Sequence, residues 1–202
     1  MAKRLKADPD RKIKIMVGST VYGFEDQLSQ IVAQLNTLGY DVLNSHYGSI
    51  KINPNLSNME NCLKAVDDCD LFLGIIRPYY GTGNIGYKNI TFEEMKKAIE
   101  LKKPYWFLVH RDVIFARNLF KKIKLKSGDE IVIEDNKFFD KRCVDVYEYV
   151  IKNHVKDLAL RNGNWAQEFY RLDEMMVYIN AQFTDKDFIN EVMNPKNSND
   201  GK

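Results

Sequence analysis

The sequence predicts a doubly wound α/β domain. Short apolar runs alternate with amphipathic helical segments from residue 12 to residue 110, and one of these runs is apolar throughout. A fully apolar run is typical of a strand that helices cover on both faces of a sheet. Regular alternation of this kind implies parallel strands joined by right-handed crossovers. The usual order for such a sheet places the first strand beside the third, at its centre.

The first half of this pattern contains two strands and one helix. The first strand is KIKIMVGST (12–20), which ends in small residues, and the second is YDVLNS (40–45). Between them, FEDQLSQIVAQLNTLG (24–39) has apolar residues at helical spacing, and Gly39 marks its end.

The second half contains two helices and two strands. Ser57 and Glu60 have the spacing of a capping box and open a helix that ends near Asp70. The apolar strand LFLGIIR (71–77) follows, then a long polar loop. The last helix of the pattern runs from 91 to 101, and the strand YWFLVH (105–110) comes after it.

Beyond residue 111 the pattern changes. The segments DVIFARNLFKKI (112–123) and VDVYEYVIKNHV (144–155) predict helices, and GDEIVIEDNKFFD (128–140) predicts extended structure. NWAQEFYRLDEMMVYINAQF (164–183) has apolar residues at helical spacing and predicts a packing helix. The chain is therefore divided into a flexible leader (1–11), an α/β domain (12–123), a helical extension packed on that domain (124–193) and a disordered tail (194–202).

Composition excludes several classes of function. A net charge of +2, without a basic surplus gathered on one face, argues against nucleic acid as a partner. Three cysteines without CxxC spacing, and three histidines without ligand spacing, predict neither a disulfide framework nor a metal site. The chain shows no signal peptide and no apolar run long enough to span a membrane. We expect a cytoplasmic protein that does not associate with membranes.

The fold class itself indicates where a ligand would bind. In doubly wound sheets, ligands bind beyond the carboxyl ends of the strands, where the winding reverses. This rule selects GSTVYG (18–23) after the first strand and RPYYGTGNIGYKNITFEE (77–94) after the third. The second segment ends at Glu94, so this carboxylate is in the right place for a site.

Two interpretations of Glu94 remain open at this point. Thr91 stands three residues before it, so Glu94 can close a capping box and reach back to the N–H of Thr91. Alternatively, the positive end of the helix dipole favours an ionised carboxylate at the mouth of a cleft, which can stabilise an oxocarbenium-like transition state. In the neighbouring loop, Tyr79 and Tyr80 offer aromatic faces and Arg77 a cation for a phosphate.

Three blocks of the sequence resemble a TIR-like bacterial domain family of unassigned function. They are IKIMVGSTVYGFEDQ (13–27), NMENCLKAVDDCDLFLGIIRPYYG (58–81) and ITFEEMKKAIELKKPYWFLV (90–109), and their order and spacing match over about residues 12 to 110. The first strand of the family typically ends in Ser-Ser-Thr, whereas this chain has Gly18 in place of the first serine. The resemblance implies a flavodoxin-like fold related to TIR domains and to nucleoside 2-deoxyribosyltransferases.

The resemblance also implies a function. In both related groups, a glutamate on the helix after the third strand acts on an N-glycosidic bond, and that glutamate corresponds to Glu94. The implied activity is cleavage of the nicotinamide–ribose bond of NAD to ADP-ribose or a cyclic derivative, in bacterial anti-phage defence. NAD is then the substrate and no cofactor is needed. Self-association, and an effector protein that responds to the nucleotide product, are the further partners implied.

On this hypothesis, Glu94 is the catalytic residue and six residues bind the nucleotide. Gly18, Ser19 and Thr20 line the ribose or phosphate pocket, Tyr22 and Tyr80 offer faces to the bases, and Arg77 binds phosphate. Two rival hypotheses remain. One is a nucleoside or nucleotide N-glycosidase or deoxyribosyltransferase with Glu94 as nucleophile. The other is a non-catalytic module for assembly or nucleotide sensing, in which Glu94 is only a cap.

Overall fold

The computed structural model describes residues 11–81, 84–85, 88–123, 132, 138–152 and 165–195. Within these residues, five parallel strands form the main sheet, and two further short strands pair antiparallel. The strands are β1 (Lys14–Ser19), β2 (Asp41–Leu43), β3 (Leu71–Ile76), β4 (Asn84–Ile85), β5 (Lys88–Asn89), β6 (Tyr105–His110) and β7 (Ala166–Phe169). The helices are α1 (Glu25–Thr37), α2 (Asn58–Asp68), α3 (Ile90–Glu100), α4 (Arg111–Lys122), α5 (Arg142–Ile151), α6 (Leu172–Phe183) and α7 (Lys186–Met193).

The main sheet has the order β2-β1-β3-β6-β7. This is a doubly wound, flavodoxin-like α/β fold, and the prediction that the first strand lies beside the third is confirmed. The winding reverses between β1 and β3, where Gly18 stands opposite Gly74. The carboxyl ends of these two strands therefore form the crevice in which such folds bind ligands.

Helices cover both faces of the sheet and create two hydrophobic layers. Side chains from α2, α3, α4 and α5 pack on one face, and side chains from α1, α6 and α7 pack on the other. Successive side chains of β3 point alternately into the two layers, and all six residues of this strand are buried. The apolar run at 71–76 was therefore correctly interpreted as a strand covered on both sides.

The predicted start of α2 is also confirmed. The Ser57 hydroxyl accepts a hydrogen bond from the N–H of Glu60 at 3.2 Å, and the Glu60 carboxylate accepts one from the N–H of Ser57 at 2.8 Å. Both members of the capping box satisfy N–H groups that a helix N-terminus leaves without intrahelical partners.

The segment 164–183 differs from its prediction as one packing helix. Its first part forms β7, which pairs with β6 from Phe107 opposite Ala166 to His110 opposite Phe169. The helix begins only at Leu172. The edge of β6 offers unpaired backbone groups, and pairing with them outweighs the local helical periodicity. The extension beyond residue 123 thus adds a strand to the sheet as well as helices.

Parts of the predicted organisation lie outside the described residues. They include residues 1–10 of the leader, most of the predicted extended segment 128–140, and residues 196–202 of the tail. Arg11, the last residue of the predicted leader, is held at the surface by Asp70 through two hydrogen bonds of 2.8 and 2.9 Å. None of the helices in the described part of the chain has the length and apolar character needed to cross a membrane.

Candidate functional site

A cavity of about 390 Å³ opens at the carboxyl ends of β1 and β3. Its volume is near the lower end of the roughly 300–1,000 Å³ typical of small-molecule sites, which suits a ligand the size of a nucleoside. The described residues that line it are Val17, Ser19, Thr20, Val21, Tyr22, Asn44, Ser45, Ile50, Ile52, Asn58, Cys62, Gly81, Asn89, Ile90, Thr91 and Glu94. The site predicted from the fold class therefore corresponds to an actual cavity.

Glu94 does not cap the helix that carries it. Helix α3 begins at Ile90, and its cap is Asn89, whose side-chain oxygen accepts a hydrogen bond from the N–H of Phe92 at 3.2 Å. The Asn89 amide also donates to the carbonyl of Tyr80 at 2.7 Å, which ties the cap to the preceding loop. The capping box predicted for Thr91 and Glu94 is wrong because the helix starts earlier and already has its cap. Glu94 lies beyond the first turn, and its side chain lines the cavity.

The carboxyl group of Glu94 lies against the backbone of β1. A Cβ atom on Gly18 would stand 3.3 Å from Glu94 Oε2 and 2.8 Å from Phe72 Cζ. A contact of 2.8 Å is shorter than real Cβ atoms show, so a side chain at position 18 would force its neighbours to move. Gly18 is not a lining residue itself, but the absence of its side chain leaves the space in which the carboxyl group of Glu94 lies.

Burial determines the protonation of Glu94. The residue is only 4% exposed, and burial raises the pKa of its carboxyl group to about 8, although interaction with the Cys62 thiol lowers it in part. No N–H or hydroxyl group among the described residues donates a hydrogen bond to this carboxyl group. Glu94 lies beyond the first turn of α3, and its burial favours the neutral acid below a pKa of about 8, so the expectation that the helix dipole keeps Glu94 ionised is not supported.

Three other predicted residues line the same cavity. Ser19 is buried, and its hydroxyl donates to the carbonyl of Thr20 at 3.0 Å. The hydroxyl oxygen of Thr20 is buried and has no hydrogen-bond partner among the described residues. Tyr22 is 74% exposed and stands at the rim, with its ring at an angle to that of Tyr79. Ser19, Thr20, Tyr22 and Glu94 are thus brought together as the sequence predicted.

Arg77 does not reach the cavity. It is buried, and its guanidinium group donates to the carbonyls of Thr20, Tyr22 and Gly23 at 3.0, 3.1 and 3.4 Å. The same group stacks over the ring of Phe24. Burial lowers the pKa of the Arg77 side chain to about 10, which still leaves it charged at neutral pH. Arg77 holds the loop after β1 in place, and this geometry does not support its predicted role as a phosphate ligand.

Tyr80 is also kept away from the cavity. Its side chain is 6% exposed, and its ring lies under the guanidinium group of Arg142 at 4.2 Å. Arg142 in turn pairs with the buried Asp140. The predicted role of Tyr80 as a face for a base is therefore not supported by its position.

Several cavity residues were not predicted. Asn44 follows β2, is 2% exposed, and donates from its side-chain amide to the carbonyl of Val17 at 2.8 Å. Cys62, on α2, also lines the cavity, and its thiol interacts with the carboxyl group of Glu94. The sequence signal that could have found Asn44 is its position directly after β2, because β2 runs parallel to β1 and ends at the same edge of the sheet.

The described residues contain no group of three or more His, Cys, Asp or Glu side chains arranged to hold a metal ion. Glu94 is the only lining residue with a charged or acidic side chain among those the structure describes. The chemistry available in this part of the cavity is therefore that of one carboxyl group, several hydroxyl and amide groups, and apolar walls.

Comparison with known proteins places the chain in a family. Residues 14–143, well over half of the chain, match the family described as "Domain of unknown function (DUF4062)". The chain belongs to this family. No curated protein matches the chain. The matched region runs from β1 into α5 and includes every described residue of the cavity lining. Membership of a family without an assigned activity leaves the chemistry of the cavity as the basis for a functional proposal.

Proposed function

We propose that the protein cleaves the N-glycosidic bond between nicotinamide and ribose in NAD. The observation that carries this proposal is the position of Glu94, a residue only 4% exposed whose side chain lines a nucleoside-sized cavity at the switch point of the sheet. A buried carboxylate stabilises a developing ribosyl cation more strongly than one in water, because little solvent screens the interaction. The resemblance to TIR domains points to the same reaction.

The proposed reaction needs no cofactor. The bond between C1′ of the ribose and the pyridinium nitrogen breaks, and both electrons pass to the nitrogen, so nicotinamide leaves as a neutral molecule. Water then adds to the ribosyl cation at C1′ and loses one proton to the Glu94 carboxylate, which gives ADP-ribose. If an adenine nitrogen attacks C1′ instead of water, the product is cyclic.

The raised pKa of Glu94 fits this reaction. The ionised form stabilises the cation, and a group with a pKa of about 8 accepts a proton readily when water attacks. A cationic nicotinamide ring beside the carboxyl group favours its ionised form, because an opposite charge nearby lowers the pKa of an acid. We therefore expect kcat/KM to rise with pH up to about 8, the pKa of Glu94 in the free enzyme.

One observation favours a second candidate function. None of the described lining residues is Lys, Arg or His, so this part of the cavity offers no cation for a phosphate. Such a lining suits an unphosphorylated nucleoside, as in a nucleoside N-glycosidase or deoxyribosyltransferase. In that case Glu94 acts as nucleophile, and a covalent ribosyl intermediate allows exchange of the base.

The test is chromatography of NAD incubated with concentrated protein, because the site of an assembling enzyme can be incomplete in the monomer. Wild type is compared with Glu94→Gln and with Glu93→Gln, which changes the neighbouring carboxylate that pairs with Lys96 outside the cavity. Release of nicotinamide by wild type and Glu93→Gln, but not by Glu94→Gln, is the expected result.

Other outcomes support the rivals. Incorporation of a labelled free base into nucleoside, without nicotinamide release from NAD, supports the transferase. Inertness of every nucleotide and nucleoside supports the non-catalytic module. Roles in anti-phage defence, self-association and signalling to an effector stay predictions of the resemblance.

A further inference from the structure

The only acidic side chain among the described lining residues, that of Glu94, indicates which class of substrate the cavity prefers. Glu94 is 4% exposed and lines the cavity without an ion-pair partner among the described residues. Thr20 also lines the cavity, and its hydroxyl oxygen is buried without a hydrogen-bond partner among the described residues. Buried polar groups normally have partners, so the carboxyl group of Glu94, whose side chain lines the cavity, is a group to which a ligand can supply one.

The elements packed around Glu94 bring no described charge to it. Helix α2 contributes the neutral thiol of Cys62, whose pKa is raised to about 12 by burial and by Glu94 itself. Strand β1 contributes Gly18, and β3 contributes the ring of Phe72.

Within α3, Lys96 forms an ion pair with Glu93, and Lys97 of α3 forms one with Asp67 of α2. None of these four residues lines the cavity. On α5, Arg142 pairs with Asp140. None of these cations is among the described residues that line the cavity, so a cation bound there would bring an opposite charge to the Glu94 carboxylate.

We infer that the cavity selects N-ribosylated rings that carry a positive charge, and that Glu94 releases a proton when such a ring binds. This inference rests on the proposed function and specifies the class of ligand that the cavity prefers: pyridinium nucleosides over neutral nucleosides of the same shape. The neutral acid accommodates a neutral ring, whereas a cationic ring gains the full attraction of a carboxylate that little solvent screens.

Charge selection of this kind has a quantitative signature. Below the pKa of Glu94, the cationic ligand must displace the proton in order to bind, so its affinity rises about tenfold for each pH unit. Above about pH 8 the affinity becomes constant, because the carboxyl group is already ionised in the free protein. The affinity of a neutral ligand does not rise over this range.

The test uses two ligands that the enzyme cannot cleave. Carbocyclic nicotinamide riboside is cationic but lacks the ring oxygen that an oxocarbenium ion needs, and benzamide riboside is a neutral C-riboside of the same shape. Calorimetric titration at pH 6, 7 and 8, in two buffers with different ionisation enthalpies, gives the affinity and the number of protons released. We expect release of close to one proton by the cationic ligand at pH 6 and none by the neutral one.

The Glu94→Gln variant removes the group responsible, so its affinities for both ligands should be independent of pH and no proton should be released. Glu93→Gln should behave as wild type. Equal affinities of the wild type for both ligands without proton release, or no binding of the cationic ligand, would overturn the inference. Because neither ligand reacts, charge-selective binding without nicotinamide release from NAD would contradict the proposed function and leave the inference standing.

Discussion

The carboxyl group of Glu94 occupies the space that a side chain at Gly18 would need. A Cβ atom at position 18 would lie 3.3 Å from Glu94 Oε2 and 2.8 Å from Phe72 Cζ. A side chain at position 18 therefore fits between β1 and α3 only if Phe72 and Glu94 move.

Gly18→Ala should displace Glu94 and Phe72 together. Overpacking of this kind costs about 1–3 kcal/mol of stability, and nicotinamide release should fall by at least tenfold because the carboxyl group moves. The control is Gly74→Ala on the neighbouring strand, where the new Cβ would meet Phe107 at 2.5 Å and not Glu94. Urea unfolding and the pH profile of kcat/KM distinguish them: both variants lose stability, but only Gly18→Ala shifts the profile. A Gly18→Ala enzyme with an unchanged profile would contradict this account.

Glu94→Gln should make the folded protein less sensitive to alkaline pH. The folded state holds the Glu94 proton up to about pH 8, whereas the unfolded chain loses it near 4.5. Between these values the folded state binds more protons, so the free energy of unfolding of the wild type falls as pH rises. The loss is about 5 kcal/mol and is complete above about pH 8, and the glutamine variant escapes it.

The measurement is urea unfolding of both proteins at pH 4, 6 and 9. Glu93→Gln is the control and should retain the pH slope of the wild type, because its carboxylate lies outside the cavity lining. If wild type and Glu94→Gln showed the same slope, the carboxyl group of Glu94 would not be buried as described.

Cys62→Ala should raise the pKa of Glu94 further. The thiol is the contact that lowers this pKa, so its removal leaves burial unopposed. We expect the rising limb of the pH profile of kcat/KM to move to higher pH, together with a loss of about 1 kcal/mol of stability from the cavity created. Cys69→Ala is the matched control, since this buried thiol contacts the carbonyl of Val66 and does not line the cavity. A profile that stays in place would show that the thiol does not influence Glu94.

Arg77→Lys should destabilise the loop after β1. It should not selectively weaken the binding of ligands that contain phosphate. Lysine cannot reproduce the planar donor group that contacts the carbonyls of Thr20 and Tyr22, and we expect a loss of about 2 kcal/mol in thermal or urea unfolding. The affinities for NAD and for nicotinamide riboside should fall by the same factor, because the cavity wall is disturbed equally for both. A selective loss for NAD would restore Arg77 as a phosphate ligand. Arg171→Lys, at an exposed ion pair with Asp173, is the control for stability.

Strong patterns in the sequence predicted most of the central fold. The apolar run of β3 and the capping box of Ser57 and Glu60 are local signals, and each determines its element with little influence from the rest of the chain. The switch-point rule needed only the order of elements, and it correctly placed Ser19, Thr20, Tyr22 and Glu94 at one cavity.

The errors arose where distant contacts decide the structure. Residues 166–169 form a strand because the edge of β6 is open to them, and no local pattern contains that information. Arg77 looked like a phosphate ligand because its sequence neighbours are loop residues, but three backbone carbonyls occupy its guanidinium group in the fold. The predicted capping box made Thr91 the cap of α3, but the cap is Asn89, so the helix starts at Ile90 and Glu94 lies beyond its first turn.

The position of β7 has a consequence for how the protein is made. The family match ends at residue 143, but β7, which follows it, forms one edge of the main sheet. Helix α6, which comes after β7, forms hydrogen bonds with residues near the N-terminus of the sheet domain. The hydroxyl of Tyr40 donates to the carbonyl of Phe183 at 2.9 Å, and the side chain of Gln34 donates to that of Asn180. During synthesis, the strands that carry the cavity leave the ribosome long before these partners do. Until β7 has been synthesised, this edge of β6 is open, and the nascent chain must avoid pairing it with other chains.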